Sequence, residues 1–225
     1  RRGAGSWTLT STGIPSHSGQ IFSTEVGAGA VFEAARVLDQ FYTKLGHERY
    51  LTFNPGVALG GTAVTLDSTG TVGHAEGKDN VVAEHMSVTG DLRTISPQQF
   101  TTTEQAMKEI VAKPLPGTHS EITFETGYPP MAPTAGNARL LSVYDRTSRD
   151  VGSGPVVAVD PAKAGAADIS FVANLVPMSI DALGLSGHDD HTDKETADLR
   201  MLPVKTKRTA VFLLRLTNGA AAAKP

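Results

Sequence analysis

Apolar and polar side chains alternate through the first half of the chain. Trp7 and Leu9 point one way, and Thr8, Thr10 and Thr12 the other. The pattern returns with Leu51, Phe53 and Val57 against Thr52, Asn54 and Ala58, and with Met86, Val88 and Leu92 against Ser87, Thr89, Asp91 and Arg93. It ends with Ile122 and Phe124 against Thr123 and Glu125. A period of two with one apolar face predicts half-buried antiparallel strands. Two segments between them have helical spacing. Val31, Ala34, Ala35, Leu38, Phe41, Tyr42 and Leu45 form one apolar stripe closed by Gly46. The second starts at Ser96-Pro97, an N-cap followed by proline at the first helical position, and carries Ala106, Met107, Ile110 and Val111. The order strand, helix, strand, strand, helix, strand predicts an α+β, ferredoxin-like four-stranded antiparallel layer covered by two helices.

From Gly127 the pattern changes. Ala138, Leu141, Val143 and Tyr144 have helical spacing, and the unbroken apolar run Val156-Val157-Ala158-Val159 follows. A second run holds Ile180, Ala182 and Leu183, and a last helix carries Ala210, Val211, Leu213, Leu214 and Leu216. Continuous apolar strands alternating with helices predict a parallel α/β layer buried on both faces. Two such strands cannot shield both faces or satisfy their edges, so this half is expected to be an incomplete α/β domain.

Composition narrows the function. The chain has 225 residues, 20 basic and 23 acidic, for a net charge of −3. That balance gives no general attraction to nucleic acid or to an anionic membrane, and neither is expected as a partner. No apolar run reaches the ~18–20 residues of a membrane-spanning helix. With no cysteine, disulfides, thiolate metal sites and cysteine nucleophiles are excluded. The chain opens Arg1-Arg2-Gly3-Ala4-Gly5 without an initiator methionine and is expected to be part of a longer protein. Its compartment is left open.

Four of the seven histidines, His47, His74, His85 and His119, fall beside helix ends, turns or polar strand positions and read as surface residues. His17 lies in Gly13-Ile14-Pro15-Ser16-His17-Ser18-Gly19, bracketed by residues that fix the backbone and permit close approach. It reads either as a polar loop residue or as a site residue. His188 and His191 stand in an acidic loop, Gly187 to Glu195, which suits either a divalent metal or plain solvation. Arg93 is two residues from Asp91, either as a surface ion pair or as a fork for a substrate carboxylate. Asn80 is a turn residue or an amide donor to a ligand.

Several of these stretches together resemble one family, the co-catalytic zinc exopeptidases that include glutamate carboxypeptidase, acetylornithine deacetylase and succinyl-diaminopimelate desuccinylase. Gly13 to Gly19 resembles the family's G-x-x-S-H-S/A-G motif. Asn80-Val81-Val82 with Gly90-Asp91-Leu92-Arg93 resembles its N-x-I-P…D-x-R segment. Gly165-Ala166-Ala167-Asp168 resembles its G-G-T/S-D turn, and His191 to Glu195 its closing H-S/T-x-x-E motif. The resemblance implies a ferredoxin-like lid at 6–126, which dimerises, following the end of the first half of a catalytic domain at 1–5. The second half of that domain would be 127–225. It implies that His17 is catalytic, reaching the partner subunit's site to stabilise an oxyanion. Asn80 and Arg93 would bind the substrate carboxylate, Asp168 would line the substrate site, and His191 would ligate one of two zinc ions. The activity implied for the intact protein is hydrolysis of an amide bond, in a small peptide or N-acyl amino acid, beside a free carboxylate. The family's adjacent glutamate pair has no counterpart, since no Glu-Glu occurs in the chain. Ala83 stands at the family's proline, and Ala166-Ala167 at its glycine and hydroxyl residue. This chain is therefore expected to hold a partial metal site at most and to be inactive alone. Its expected partners are a second copy through the lid and the N-terminal half of the same protein. The rival reading is a non-catalytic dimerisation or binding module built from the lid.

Overall fold

β1 (Ala4–Gly13) is the central strand that the alternation predicts, with Trp7, Leu9 and Ser11 buried and the residues between them facing away. In the computed structural model, which describes residues 1–189 and 192–218, the chain divides into two compact units. The first is Arg1–Ala132 with Ala164–Ser170, the second Pro133–Lys163 with Phe171–Pro225.

In the first unit β1 is followed by α1 (Gly29–Leu45), β2 (Thr52–Gly61), β3 (Ala63–Leu66), β4 (Gly73–Glu76), β5 (His85–Arg93), α2 (Pro97–Val111) and β6 (Thr118–Tyr128). The main sheet has the order β2-β5-β1-β6, with every neighbouring pair antiparallel. This is the ferredoxin-like arrangement that the element order predicts. Trp7, Leu9, Val88 and Leu92 on one sheet face pack against Ala34, Val37, Phe41 and Leu45 of α1 and Met107, Ile110 and Val111 of α2. Trp7 meets Phe41 edge to face at 5.9 Å, and its Nε1 donates to the Asp91 carbonyl at 3.0 Å. α2 begins as read from the sequence: the Ser96 hydroxyl accepts from Gln99 N at 3.1 Å, with Pro97 in the first turn.

Three features of this unit differ from the pattern reading. α1 does not bury all of its apolar stripe. Its inward arc is Ala30, Glu33, Ala34, Val37, Phe41 and Leu45, whereas Val31 is 45% and Tyr42 67% exposed. The sequence stripe is two adjacent stripes, one for the core and one left outward. β2 carries a bulge between Pro55 and Val57, and the extra residue reverses the alternation. Phe53 stands opposite the buried Leu92, but Val57 stands opposite Thr89 on the other face. Third, β3 and β4 pair as a short hairpin that the alternation did not reveal. Thr89 Oγ1 donates to the Gly70 carbonyl at 2.8 Å, fastening the hairpin over that other face.

One buried acid closes the unit. Glu33 accepts from Arg36 Nε at 3.0 Å and Nη2 at 2.6 Å, from Leu115 N at 2.8 Å and from the Ser120 hydroxyl at 3.1 Å. Burial alone would raise this carboxyl, but Arg36, the Leu115 amide and Ser120 together hold it below its ordinary value.

The second unit contains α3 (Ala135–Asp150), the two-residue strands β7 (Gly187–His188) and β8 (Thr196–Ala197), and α4 (Met201–Thr217). α3 is capped by Thr134, whose hydroxyl accepts from Asn137 N at 3.1 Å. Leu140, Tyr144 and Phe212 form its core, with Tyr144 and Phe212 edge to face at 5.1 Å. Of the predicted stripes, Tyr144 is buried here and Val143 and Leu216 pack against this core, but Leu140 and Phe212 lie outside the predicted stripes and Leu213 and Leu214 are exposed. The predicted parallel strands do not form among the described residues. Among the described residues Val156–Val159 runs without a strand partner, with Val157 78% exposed, and the run from Ile180 to Leu183 likewise joins no sheet. A strand needs a neighbour to satisfy its backbone groups, and neither run is offered one.

Candidate functional site

The sequence around His17 folds against the segment that precedes β5. Ser18 N donates to the Asn80 carbonyl at 2.9 Å, Val82 N to the Ser16 carbonyl at 2.9 Å, and Gly13 N to the Glu84 carbonyl at 2.9 Å. His17 and Val81 form an antiparallel bridge. Two stretches more than sixty residues apart in sequence therefore become one rigid lip at the end of the sheet where β1 finishes. His17 caps a short 3₁₀ turn, Ser18–Gln20, and its Nδ1 accepts from Gly19 N at 3.1 Å. A neutral imidazole whose Nδ1 accepts carries its proton on Nε2. His17 is exposed, so that Nε2–H is a donor presented to whatever approaches. Asn80 sits in the turn beside it, closed by Val81 N on the Lys78 carbonyl at 3.1 Å.

Arg93 and Asp168 lie at the other end. Arg93 is the last residue of β5, opposite Thr52. Its Nε donates to Asp91 Oδ2 at 2.9 Å, so the ion pair read from the sequence is present. That pair uses one edge of the guanidinium and leaves Nη1 and Nη2 without a protein partner among the described residues. A carboxylate can meet those two groups with two parallel hydrogen bonds. Asp168 opens a short 3₁₀ turn and its Oδ1 accepts from the Tyr128 hydroxyl at 3.0 Å. That hydrogen bond and the charge of Asp168 raise the Tyr128 phenol above its ordinary value. β5 spans the unit between the two ends, and its eight steps of ~3.4 Å separate them by about 27 Å. The structure brings His17 to Asn80 and, separately, places Arg93 and Asp168 at the opposite end.

His188 stands exposed in β7. His191, the expected metal ligand, lies outside the described residues. Among the described residues no group of three or more histidine, aspartate or glutamate side chains is placed to hold a metal ion. These residues do not fit a metal centre by themselves. Among the described residues no helix is long and apolar enough to cross a membrane.

Residues 1–119 match the M20 peptidase dimerisation domain. The chain belongs to that family. Solved structures share the fold of this M20 chain at low identity. Aminopeptidase PepT from Bacillus cereus matches with a TM-score of 0.67 and 16% identity over 94% of this chain and 51% of its own. The YxeP protein of Bacillus subtilis, described as a dinuclear metal binding peptidase of the M20 family, matches with a TM-score of 0.61 and 14% identity over 94% and 49%. An amidase of the hydantoinase/carbamoylase family from Burkholderia multivorans matches with a TM-score of 0.57 and 17% identity over 100% and 49%. The chain thus spans about half the length of these structures. No curated protein matches it.

Pattern reading missed the outward stripe of α1, in which Val31, Ala35 and Tyr42 are exposed and Leu38 between them is half-buried against the core. Val31 overlooks β2, since a Cβ on Gly60 would come within 3.0 Å of its Cγ2. β2 is one of the two edge strands of the main sheet, so an apolar helix flank and a strand edge lie side by side. The signal was available, because seven apolar positions span more of a helix circumference than one sheet face can cover.

Proposed function

We propose that the protein containing this chain is a metal-dependent hydrolase of amide bonds next to a free carboxylate, acting on a small peptide or N-acyl amino acid in the manner of glutamate carboxypeptidase. This chain supplies its lid, residues 6–126, and part of its catalytic body, residues 127–225. Two zinc ions are the proposed cofactor, held by residues other than those described for this chain, with His191 as one proposed ligand. What carries the reading is the placement of the candidate groups at opposite ends of one sheet. No single lid can close all of them on one small substrate across about 27 Å. Two lids related by a two-fold axis can, because the axis reverses one sheet against the other. The outward stripe of α1 and the edge of β2 are the surface proposed for that contact, with a second copy of this chain as its occupant.

In the shared site His17 of one protomer donates its Nε2–H to the scissile carbonyl oxygen as negative charge develops there. Asn80 beside it offers its amide to the substrate. Arg93 of the other protomer grips the terminal carboxylate with its free Nη1 and Nη2, and Asp168 lines the same end. Fixing the carboxylate and the carbonyl from two subunits sets which bond lies under His17.

The test is subunit complementation in the full-length protein, using N-acetylglutamate and a dipeptide panel as substrates. His17→Ala and Arg93→Ala each lower kcat/KM by at least about 100-fold. Mixed and allowed to exchange subunits, the two variants recover up to about a quarter of wild-type activity, because one site of each heterodimer contains both intact groups. Loss of activity in both variants with no recovery on mixing would sink the shared site. The second reading, a binding module without chemistry, is favoured by the family match covering only residues 1–119; zinc-loaded full-length protein that cleaves none of these substrates would establish it.

A further inference from the structure

We propose that Tyr128 is a positioning residue that sets the Asp168 carboxylate, and that a glycine bulge exists to aim it. The proposal rests on the reading that Asp168 lines the substrate site. Along β6, Phe124 stands opposite Trp7 and Thr126 opposite Gly5, both on the helix-covered side of the sheet. Strict alternation would put Tyr128 on that side as well. Instead the register shifts between Ala4 and Gly5, so that Tyr128 stands opposite Ala4 and Gly127 is the extra residue. The shift turns Tyr128 onto the open face, where Asp91 and Arg93 flank the buried Leu92. Only glycine fits the bulge, because a Cβ on Gly127 would lie 2.7 Å from the Ala4 carbonyl oxygen.

On that face the Tyr128 hydroxyl donates to Asp168 Oδ1 at 3.0 Å. Asp168 belongs to Ala164–Ser170, a segment remote in sequence that packs in the first unit with Ala164 and Ser170 buried at its ends. The hydrogen bond therefore ties the middle of this segment to the sheet and fixes one carboxylate oxygen. The other, Oδ2, stays available to accept from a donor, and the ligand chemistry it fits is an amide N–H or an ammonium group. With Arg93 at the same end, the pair would hold a substrate carrying an N–H donor and a carboxylate. Tyr128 touches no reacting atom in this scheme. It acts through Asp168.

The experiment uses the 225-residue chain and needs neither metal nor substrate. The chain has four tyrosines, and their ionisation is followed by ultraviolet absorbance. Asp168→Asn removes the charge that holds the Tyr128 proton, so one of the four titrates at lower pH than in the wild type, and Tyr128→Phe removes that titration. Amide exchange across 164–170 rises about tenfold in Tyr128→Phe, on the scale of one lost hydrogen bond, while exchange in β1 and β5 is unchanged. Gly127→Ala gives the same local rise if the bulge aims the ring. An Asp168→Asn titration identical to wild type, or unchanged exchange at 164–170 in Tyr128→Phe, overturns the proposal. Because no turnover is measured, this result and the complementation result can fail separately.

Discussion

The two units differ in whether their apolar faces find partners within the chain. In the first, Trp7, Leu9, Phe41, Leu92 and Met107 are all essentially inaccessible, enclosed by one sheet and two helices from 132 consecutive residues and a short returning segment. In the second, three buried hydrophobics form the core, and Val157, Val159, Phe171, Leu175 and Leu199 remain exposed. The sequences are not different in quality, since Val156-Val157-Ala158-Val159 is as good a strand as any in the first unit. What separates them is partnership. The first unit's four main strands pair with one another, and the second unit's two apolar runs have no neighbouring strand among the described residues.

The sharpest way to break this comparison is through Glu33, the polar keystone of the first unit. Glu33→Ala leaves Arg36 and the Leu115 amide facing a partly buried gap, at a cost of about 3–5 kcal/mol in the unfolding of the first unit. Its carboxyl is held below the ordinary value, so its contribution to stability is fully present above the unfolded-state value near 4.5 and is lost as pH falls through the lower folded-state value. Chemical denaturation monitored by Trp7 fluorescence should show stability falling below about pH 4.5 in the wild type, with a flatter profile in Glu33→Gln. A Glu33→Ala loss below 1 kcal/mol would show that the first unit does not depend on this network.

Much of the first unit was legible because its signals are local. The period of two along β1, β5 and β6, and the Ser96-Pro97 start of α2, each depend on residues a few positions apart. Glu33 was not legible, because nothing in a glutamate on a helix announces that Arg36, Leu115 and Ser120 will surround it. The face of Val57 was misread because the Gly56 bulge reverses it, though Pro55-Gly56 is a visible interruption. In the second unit the local signal for strands was correct in chemistry and wrong in outcome, because pairing is not a local property. The candidate site shows the same limit. His17, Asn80 and Arg93 were found by motif, yet only the fold shows that the first two form one lip and that Arg93 ends the strand leading away from it.

A second test sharpens the comparison by asking whether the first unit too has a face awaiting a partner. Ala35→Lys and Tyr42→Lys place charge on the outward stripe of α1 without touching the inward arc. Each should weaken self-association by at least about tenfold, or 1.4 kcal/mol, by sedimentation equilibrium. Protomer stability should change by no more than about 0.5 kcal/mol, as for other surface substitutions. Thr101→Lys, on the exposed side of α2, serves as the control and should leave association unchanged. Wild-type chain that stays monomeric at high concentration would remove the stripe and the β2 edge as a contact surface.

The smallest effect comes from the second unit's own buried charge, and its sign is what matters. Arg208 is 8% exposed, yet among the described residues it meets no carboxylate. Its Nη2 donates to the Ser153 carbonyl at 3.4 Å, its guanidinium lies 5.6 Å from the Tyr144 ring centroid, and its Nε has no hydrogen-bond partner among the described residues. Desolvating a cation without an anion is costly, and the ring offsets only about 0.5–2 kcal/mol of that cost. Arg208→Met keeps the length and apolar bulk of the stem while removing the charge. It should leave the stability of the second unit within about 1 kcal/mol of wild type, on the stabilising side, as read from amide exchange in α3 and α4. Glu33 and Arg208 are both buried ionisable residues on helices, and removing the charge should have opposite consequences because only Glu33 is paired. A loss above about 2 kcal/mol in Arg208→Met would mean that Arg208 is paired in solution and that the second unit is better closed than its geometry indicates.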